Sequence, residues 1–355
     1  MEFNKQFEEL LLITAQHGSS DLHLSPGHYP TIRVDGRLVP LTDFPVLDTE
    51  NLNNLLLSIL SDDRKARLSN EKDIDFGYEI LNKARFRSNI YHTRNGLAGA
   101  FRLILDQIRT IDELNMPPIV KHFSKLAQGF ILVVGPNGHG KSTTLAALVD
   151  QINHERSEKI ITVEDPIEYI FTPDKSIIDQ RELGSDFVSF QSAIRATVRE
   201  NVNVIMVGEL RDYETISSAV TVAETGHLVL ASLHTNNAAQ TIERMVDSFP
   251  PAQQSQIISQ LSNTISGIIS QRLVPRLNGG LIPAVEILIA DSGVRTIIRE
   301  KKFQQLNLAI ETGAEKGMMT LNRSLSDLVA RKEISMEQAE FYSLNKNELR
   351  QIVSG

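Results

Sequence analysis

The chain contains no cysteine at all. Disulfides and thiolate metal sites are therefore excluded, and a reducing compartment is permitted without being demonstrated. No apolar run approaches the roughly 18–20 residues that a bilayer-spanning helix needs. The opening MEFNKQFEELLLITAQ is amphipathic and carries acidic residues, unlike a basic secretory signal, so residence in the cytoplasm is expected. Positive charge is scarce as well: 36 Lys and Arg against 44 Asp and Glu give a formal net charge of −8. That sign is opposite to the electrostatic footprint of a nucleic-acid binder, and no nucleic acid is expected as a partner. Low-complexity segments and short-period repeats are also missing. What is present is the balance of an ordinary folded protein, 41% hydrophobic and 23% charged over 355 residues, a length that suits two or three domains.

The first hundred or so residues read as a small mixed α/β domain. An amphipathic helix near residues 5–17 ends at Gly18-Ser19-Ser20. Residues 32–40 read as a hairpin around Asp35-Gly36, a dipeptide that tolerates the positive φ of a tight turn. A helix near 49–68 follows, then strands at about 84–92 and 97–104 joined at Asn95-Gly96. Residues 106–118, with Met116-Pro117-Pro118 after a polar stretch, suit a linker. Beyond it, short apolar runs alternate with helical segments, a pattern of βαβ units around a parallel sheet buried on both faces. From about Asp291 the pattern is helical throughout.

One segment states its chemistry. The β-forming run Phe130 to Val134 leads into Gly135-Pro136-Asn137-Gly138-His139-Gly140-Lys141-Ser142, and Thr143-Thr144-Leu145-Ala146-Ala147-Leu148 opens a helix. Strand, GxxxxGK[ST], helix is the layout of a phosphate loop. Its glycines let backbone N–H groups wrap phosphate oxygens, and the helix N-terminus adds positive partial charge. Gly135 through Thr143 are thus the candidate ATP cradle. Lys141 would reach the β- and γ-phosphates, and the Ser142 hydroxyl would ligate Mg²⁺.

Three further apolar runs each end in a reactive group. Residues 160–163 end at Glu164-Asp165-Pro166, residues 204–207 at Gly208-Glu209, and residues 228–233 at His234. In open α/β sheets ligands lie beyond the carboxyl ends of the strands, so parallel neighbours of the loop strand would converge these groups. Glu209 is the candidate that orients or deprotonates the attacking water, and Gly208 would let the backbone approach metal and phosphate. Glu164 or Asp165 would hold Mg²⁺ through water, and His234 would sense the γ-phosphate. In the strand Ala84 to His92, Arg85 and Arg87 alternate with apolar residues; Arg94 sits at the turn and Arg102 on the returning strand. These four would crowd one surface, either as a solvated sheet face or as arginine fingers crossing a subunit boundary.

With these residues in view, the chain resembles the PilT/PilU group of type IV pilus retraction ATPases within the secretion-ATPase superfamily. GPNGHGKSTTLAALVDQIN, ITVEDPIEYIF, VIMVGELRDYETI and ETGHLVLASLHTNNAAQTIERMVDSFP look like that family's Walker A, Asp box, Walker B and His box, and similarity covers nearly the whole chain. The resemblance implies a PAS-like α/β N-terminal domain (1–105), the linker (106–118), a RecA-like P-loop ATPase domain (119–290) and a helical C-terminal region (291–355). It also implies a homohexamer that binds ATP and Mg²⁺ between domains. Such a ring docks at the inner face of the cytoplasmic membrane on a platform protein and acts indirectly on pilin. By motif, Arg87, Arg94 and Arg102 fall at the family's arginine positions, Glu164 in the Asp box, Glu209 at the catalytic glutamate, and His227 and His234 in the His box.

Two departures stand out. Asn201-Val202-Asn203 replaces the usual acidic run before the Walker B strand, and fewer negative charges there would alter Mg²⁺ affinity or subunit contacts. Asn137 and His139 stand where Thr and Ser are common; His139 would be a tolerated loop residue, or a source of pH sensitivity near its ordinary value of ~6.5. Assembly and type II secretion ATPases of the superfamily usually carry a tetracysteine zinc module, which a chain without cysteine cannot hold. Residues 293–300, GVRTIIRE, are similar to the AIRNLIRE segment of retraction ATPases. Retraction is thus favoured over a zinc-free assembly ATPase, a nucleic-acid motor with a basic channel, and an ATP-binding adaptor.

Overall fold

In the computed structural model, residues 2–34, 36–80, 84–104 and 107–354 are described. Asp35 of the expected hairpin turn and residue 106 of the expected linker lie outside them. The chain divides into two compact units: residues 1–107 with 165–170, and residues 108–164 with 171–355.

The first unit runs α1 (Glu2–Gln16), β1 (Asp21–Leu24), β2 (Thr31–Val34), β3 (Arg37–Pro40), α2 (Thr49–Ser58), α3 (Asp62–Glu71), β4 (Asp73–Ile80), β5 (Ala84–Thr93) and β6 (Gly96–Ile104). Its six strands form an antiparallel sheet in the order β3-β2-β1-β6-β5-β4. Alternation assigns the faces. Phe86 and Ile90 of β5, with Ile74 and Phe76 of β4, join Phe7 and Leu10 of α1 and Leu52 and Leu55 of α2 in one apolar core. Phe7 meets the Phe101 ring edge-on at 4.9 Å, a pairing that adds to area burial. A sheet with helices over its apolar face is the PAS-like arrangement expected. The expected helix at 49–68 is two helices. Ser61 caps α3 by accepting the Arg64 N–H, and Leu60 turns inward between them.

The second unit contains α4 (Val120–Ser124), β7 (Gly129–Val134), α5 (Lys141–Glu155), β8 (Lys159–Glu164), β9 (Ile177–Glu182), α6 (Phe190–Thr197), β10 (Val204–Val207), α7 (Tyr213–Glu224), β11 (Leu228–Leu233), α8 (Ala238–Asp247) and α9 (Pro251–Thr264). There follow β12 (Ile265–Pro275), β13 (Leu281–Ile289), α10 (Ser292–Arg299), α11 (Gln305–Thr312), α12 (Leu321–Ala330), α13 (Met336–Tyr342) and α14 (Lys346–Ser354). Seven strands lie in the order β13-β12-β7-β11-β10-β8-β9, parallel except for β13 at the edge. Every residue of β7, β10 and β11 is buried, as a sheet covered by helices on both faces requires. Ile111 and Met116 are also buried, so residues 108–118 pack within this unit rather than hanging as an exposed tether. The helices from α12 onward cover the β12–β13 hairpin through Leu321, Leu325, Leu328 and Leu349 against Val274 and Ile282. Among the described residues no helix is long and apolar enough to cross a membrane.

Candidate active site

Strand order builds the site. β11 lies between β7 and β10, with Leu233 opposite Val134 and Ala231 opposite Val207. The residues following these strands therefore emerge side by side at one sheet edge. After β7 the chain turns through Gly135, whose φ of 153° and position leave no room for a side chain: a Cβ there would lie 2.5 Å from the Gln271 carbonyl oxygen. Gly140, at φ 79°, caps α5, which begins at Lys141. The first-turn N–H groups of Lys141, Ser142 and Thr143 thus open toward the loop, where an anion is favoured.

Lys141 is buried. Its Nζ donates to the Pro136 carbonyl at 2.9 Å and to His234 Nδ1 at 3.1 Å. An ammonium only donates, so Nδ1 of His234 accepts and the ring proton sits on Nε2. Nε2 lies 3.0 Å from Glu209 Oε1, and the second carboxylate oxygen accepts from Arg211 Nε at 2.9 Å. Burial, then the neighbouring Lys141 charge, hold His234 below the usual imidazole range despite the nearby Glu209 carboxylate. The His234–Glu209 contact is therefore a neutral N–H donating to a carboxylate. Arg244 Nη1 fixes the backbone beneath it, donating to the His234 carbonyl at 2.7 Å.

Glu209 emerges on a stitched backbone. Gly208 N–H donates to the Val163 carbonyl at 2.9 Å, Leu210 N–H to Ser232 at 3.0 Å, and Ser232 Oγ to the Gly208 carbonyl at 2.5 Å. A Cβ on Gly208 would meet Glu164 Cα at 3.5 Å, an ordinary contact, so the fold itself does not demand glycine there. Glu164 ends β8 beside Gly208, is 6% exposed and accepts the Thr162 hydroxyl at 2.7 Å. Lys141, His234 and Glu209 are thus in direct contact, with Glu164 one strand further along. Asp165 groups with the first unit.

The arginines also belong to the first unit. Arg87 and Arg102 stand opposite each other across β5 and β6, and Arg85 shares their face two residues along. Arg94 is not in that group. It lies in the β5–β6 turn, seven residues beyond Arg87 and roughly 20 Å away at ~3.3 Å per residue. Each of the other three meets a carboxylate: Arg85 with Glu79 at 3.3 Å, Arg87 with Glu168 at 3.3 Å, and Arg102 with Asp21 at 3.0 Å.

His227 precedes β11 and His234 follows it, so the two stand about 20 Å apart at ~3.3 Å per residue; His227 Nδ1 instead contacts the Val222 carbonyl at 3.0 Å. Asn203 and Asn201 lie at the amino end of β10, roughly 15 Å and 20 Å from Gly208 on the same scale, at the end of the strand opposite Glu164. Their roles are local: Asn201 takes a φ of 51°, which Asn tolerates, and Asn203 Oδ1 accepts the Lys159 N–H at 2.9 Å. His139 is more than a tolerated loop residue. Its Nδ1 accepts the Leu273 N–H at 2.8 Å, and burial, followed by the Arg272 and Lys141 charges, holds its titration below the ordinary value.

Sequence reasoning missed the partners of the loop on β12. Gln271 Oε1 accepts the Thr144 hydroxyl at 2.8 Å, and its Nε2 donates to the His139 carbonyl at 2.6 Å. Arg272 is 7% exposed; Nη2 donates to Asn236 Oδ1 at 2.9 Å, while Nη1 is buried without a hydrogen-bond partner.

The chain is 42% identical over 331 residues to the type IV pilus retraction ATPase PilT of Pseudomonas aeruginosa, covering 93% of this chain and 96% of that protein. It is 35% identical over 349 residues to the type IV pilus ATPase PilU of the same organism, covering 98% and 91%. A crystal structure of the pilus retraction motor PilT with bound ADP matches with a TM-score of 0.89 at 41% identity, over 97% of this chain and 98% of that one. Residues 11–351 match the profile of one family across nearly the whole length: the chain belongs to the type II/IV secretion system proteins.

Proposed function

We propose that this chain is an ATP-hydrolysing motor subunit that drives type IV pilus retraction. It would work as a homohexamer docked from the cytoplasm on an inner-membrane platform protein, withdrawing pilin subunits. The observation that carries the reading is the contact series Lys141–His234–Glu209 at the carboxyl ends of β7, β11 and β10. It joins a phosphate-binding ammonium to a carboxylate able to handle water.

The amides of Gly135 to Thr143 would cradle the triphosphate, and Lys141 would neutralise charge on the β- and γ-phosphates. Glu209, held at one oxygen by His234 and at the other by Arg211, is oriented before the reaction begins and would take the proton of the attacking water. The Pro136 carbonyl and His234 Nδ1 take two of the three Lys141 N–H donors, and anionic phosphate oxygens would compete for them. On ATP binding Lys141 would release His234 Nδ1, so His234 would report occupancy to Glu209. The Ser142 hydroxyl and Glu164, or Asp165 next to it in sequence, would hold Mg²⁺, a cation that prefers oxygen donors. This sparse protein contribution suits a metal that takes its other ligands from phosphates and water. When bound, the ion would help neutralise charge developing on the transferred phosphoryl group. Arg87 and Arg102, facing each other across β5 and β6, would complete a site from the N-terminal unit of a neighbouring subunit, and Arg94, in the β5–β6 turn, would meet it at a separate point.

Phosphate release by purified full-length protein tests the chemistry. Lys141→Ala and Glu209→Gln should each lose at least about a hundredfold in turnover. Near-wild-type activity in either would sink the assignment. Deleting the gene tests direction: surplus, unretracted pili fit retraction, whereas a bald cell means assembly.

A further inference from the structure

Three consecutive polar residues, Ser270-Gln271-Arg272, lie buried inside the largely apolar β12. Because successive residues of a strand face opposite ways, they serve two different loops. On one side, Gln271 binds the Thr144 hydroxyl and the His139 carbonyl, while the Leu273 N–H binds His139 Nδ1. The phosphate loop is thereby tied at its tip and at the first turn of α5. On the other side, Ser270 Oγ donates to the Asn236 carbonyl at 2.9 Å and Arg272 Nη2 to Asn236 Oδ1 at 2.9 Å. Asn236 is two residues beyond His234. On β13, Glu286 lies opposite Ser270 and accepts the Ala238 N–H at 2.7 Å, tying the same loop once more.

Stability alone does not explain this arrangement. Burying a guanidinium beside a buried carboxylate, with one nitrogen unsatisfied, brings folding little over an apolar pair of similar volume. What the polar residues supply is register between two loops that are distant in sequence. We propose that β12 fixes the spacing of the ATP site: Gln271 positions the phosphate loop, and Arg272, through Asn236, positions His234 and hence Glu209. Both are positioning residues acting through others. The inference rests on the ATPase reading above and adds a division of labour within it, nucleotide affinity on one side of the strand and turnover on the other.

Full-length Gln271→Met, Arg272→Met and Ser270→Ala variants would be compared by steady-state ATP turnover and by binding of a fluorescent ADP analogue. Gln271→Met should weaken ADP-analogue binding and raise KM about tenfold with kcat within about twofold of wild type. Arg272→Met should lower kcat about tenfold with analogue binding kept, and Ser270→Ala should lower kcat about twofold to threefold in the same direction. Ser270→Ala removes only a hydroxyl, so it carries the test if Arg272→Met does not fold. Variants that lower both parameters in proportion, or leave both unchanged, overturn the inference while leaving the ATPase reading intact. A wild-type protein that neither binds the analogue nor hydrolyses ATP would remove both.

Discussion

Glu286 offers a quantitative test of the packing around this strand. Its carboxyl is buried, and that burial raises its pKa from 4.5 to about 7, against the opposing effects of the Ala238 N–H and the Arg272 charge. The folded chain therefore holds this proton more tightly than the unfolded chain does. The favourable contribution is complete below pH ~4.5 and is lost progressively as pH rises to about 7, beyond which it stays lost. A shift of that size, at ~1.4 kcal/mol per unit, corresponds to about 3 kcal/mol. Glu286→Gln keeps an oxygen for the Ala238 N–H but cannot titrate. It also leaves Arg272 without its carboxylate, an offset largest where the wild-type carboxylate is charged. The comparison is therefore made as the change in wild-type stability from pH 5 to pH 8 minus the same change in the variant. Scanning calorimetry at pH 5, 6, 7 and 8 suits a multi-unit chain better than a single extrapolated free energy. For a unit of this size about 3 kcal/mol corresponds to roughly 6–12 °C, lost by the wild type relative to its own acid value and not by the variant. Parallel midpoint curves for the two proteins would refute the assigned burial of the charge.

Other consequences can be checked separately. Gly135→Ala should destabilise the protein by more than ~1–3 kcal/mol and abolish nucleotide binding, because its Cβ would sit 2.5 Å from a backbone oxygen at φ 153°; Gly208→Ala should melt within a few degrees of wild type. His234→Gln should keep nucleotide binding but lower kcat about tenfold to a hundredfold, because Glu209 loses its orienting imidazole; an unchanged kcat contradicts the relay. Arg295→Met should cost about 1–3 kcal/mol in melting experiments, since Arg295 donates to the carbonyls of Ser262 at 3.0 Å and Ala290 at 3.2 Å, closing the end of α9 against α10.

The parts of this molecule legible in its sequence are those governed by local rules. Six buried residues in β7 followed by spaced glycines and a Lys-Ser pair could hardly be anything but a strand entering a phosphate loop, because few other backbones need that set of positive φ angles. The reactive ends of β8, β10 and β11 were legible because parallel strands deliver their carboxyl ends to one edge. Short-range signals were also missed. Ser61-Asp62-Asp63 is a capping signature that splits the helix expected over 49–68, but the apolar spacing runs through it and masks the break. Arg94 was grouped with Arg85, Arg87 and Arg102 by proximity in sequence, although a strand carries residues apart at ~3.3 Å each.

The deeper omission is β12. Gln271 lies 127 residues from Thr144 and Leu273 lies 134 from His139, and no periodicity or cap rule spans such distances. A usable signal was nevertheless present. Ser270-Gln271-Arg272 follows the apolar pair Ile268-Ile269, and apolar residues resume at Leu273-Val274. A chain that buries three consecutive polar side chains must satisfy them by hydrogen bonds or lose stability, and inside a sheet the partners available on the two faces belong to different loops. Such a run in a strand flanking a phosphate loop is thus better read as a two-sided brace than as an exposed edge. His139 then acquires a reason as well: its ring nitrogen accepts the Leu273 N–H just where β7 has ended and can no longer offer a carbonyl. The ring of His139 thus ties the phosphate loop directly to the brace.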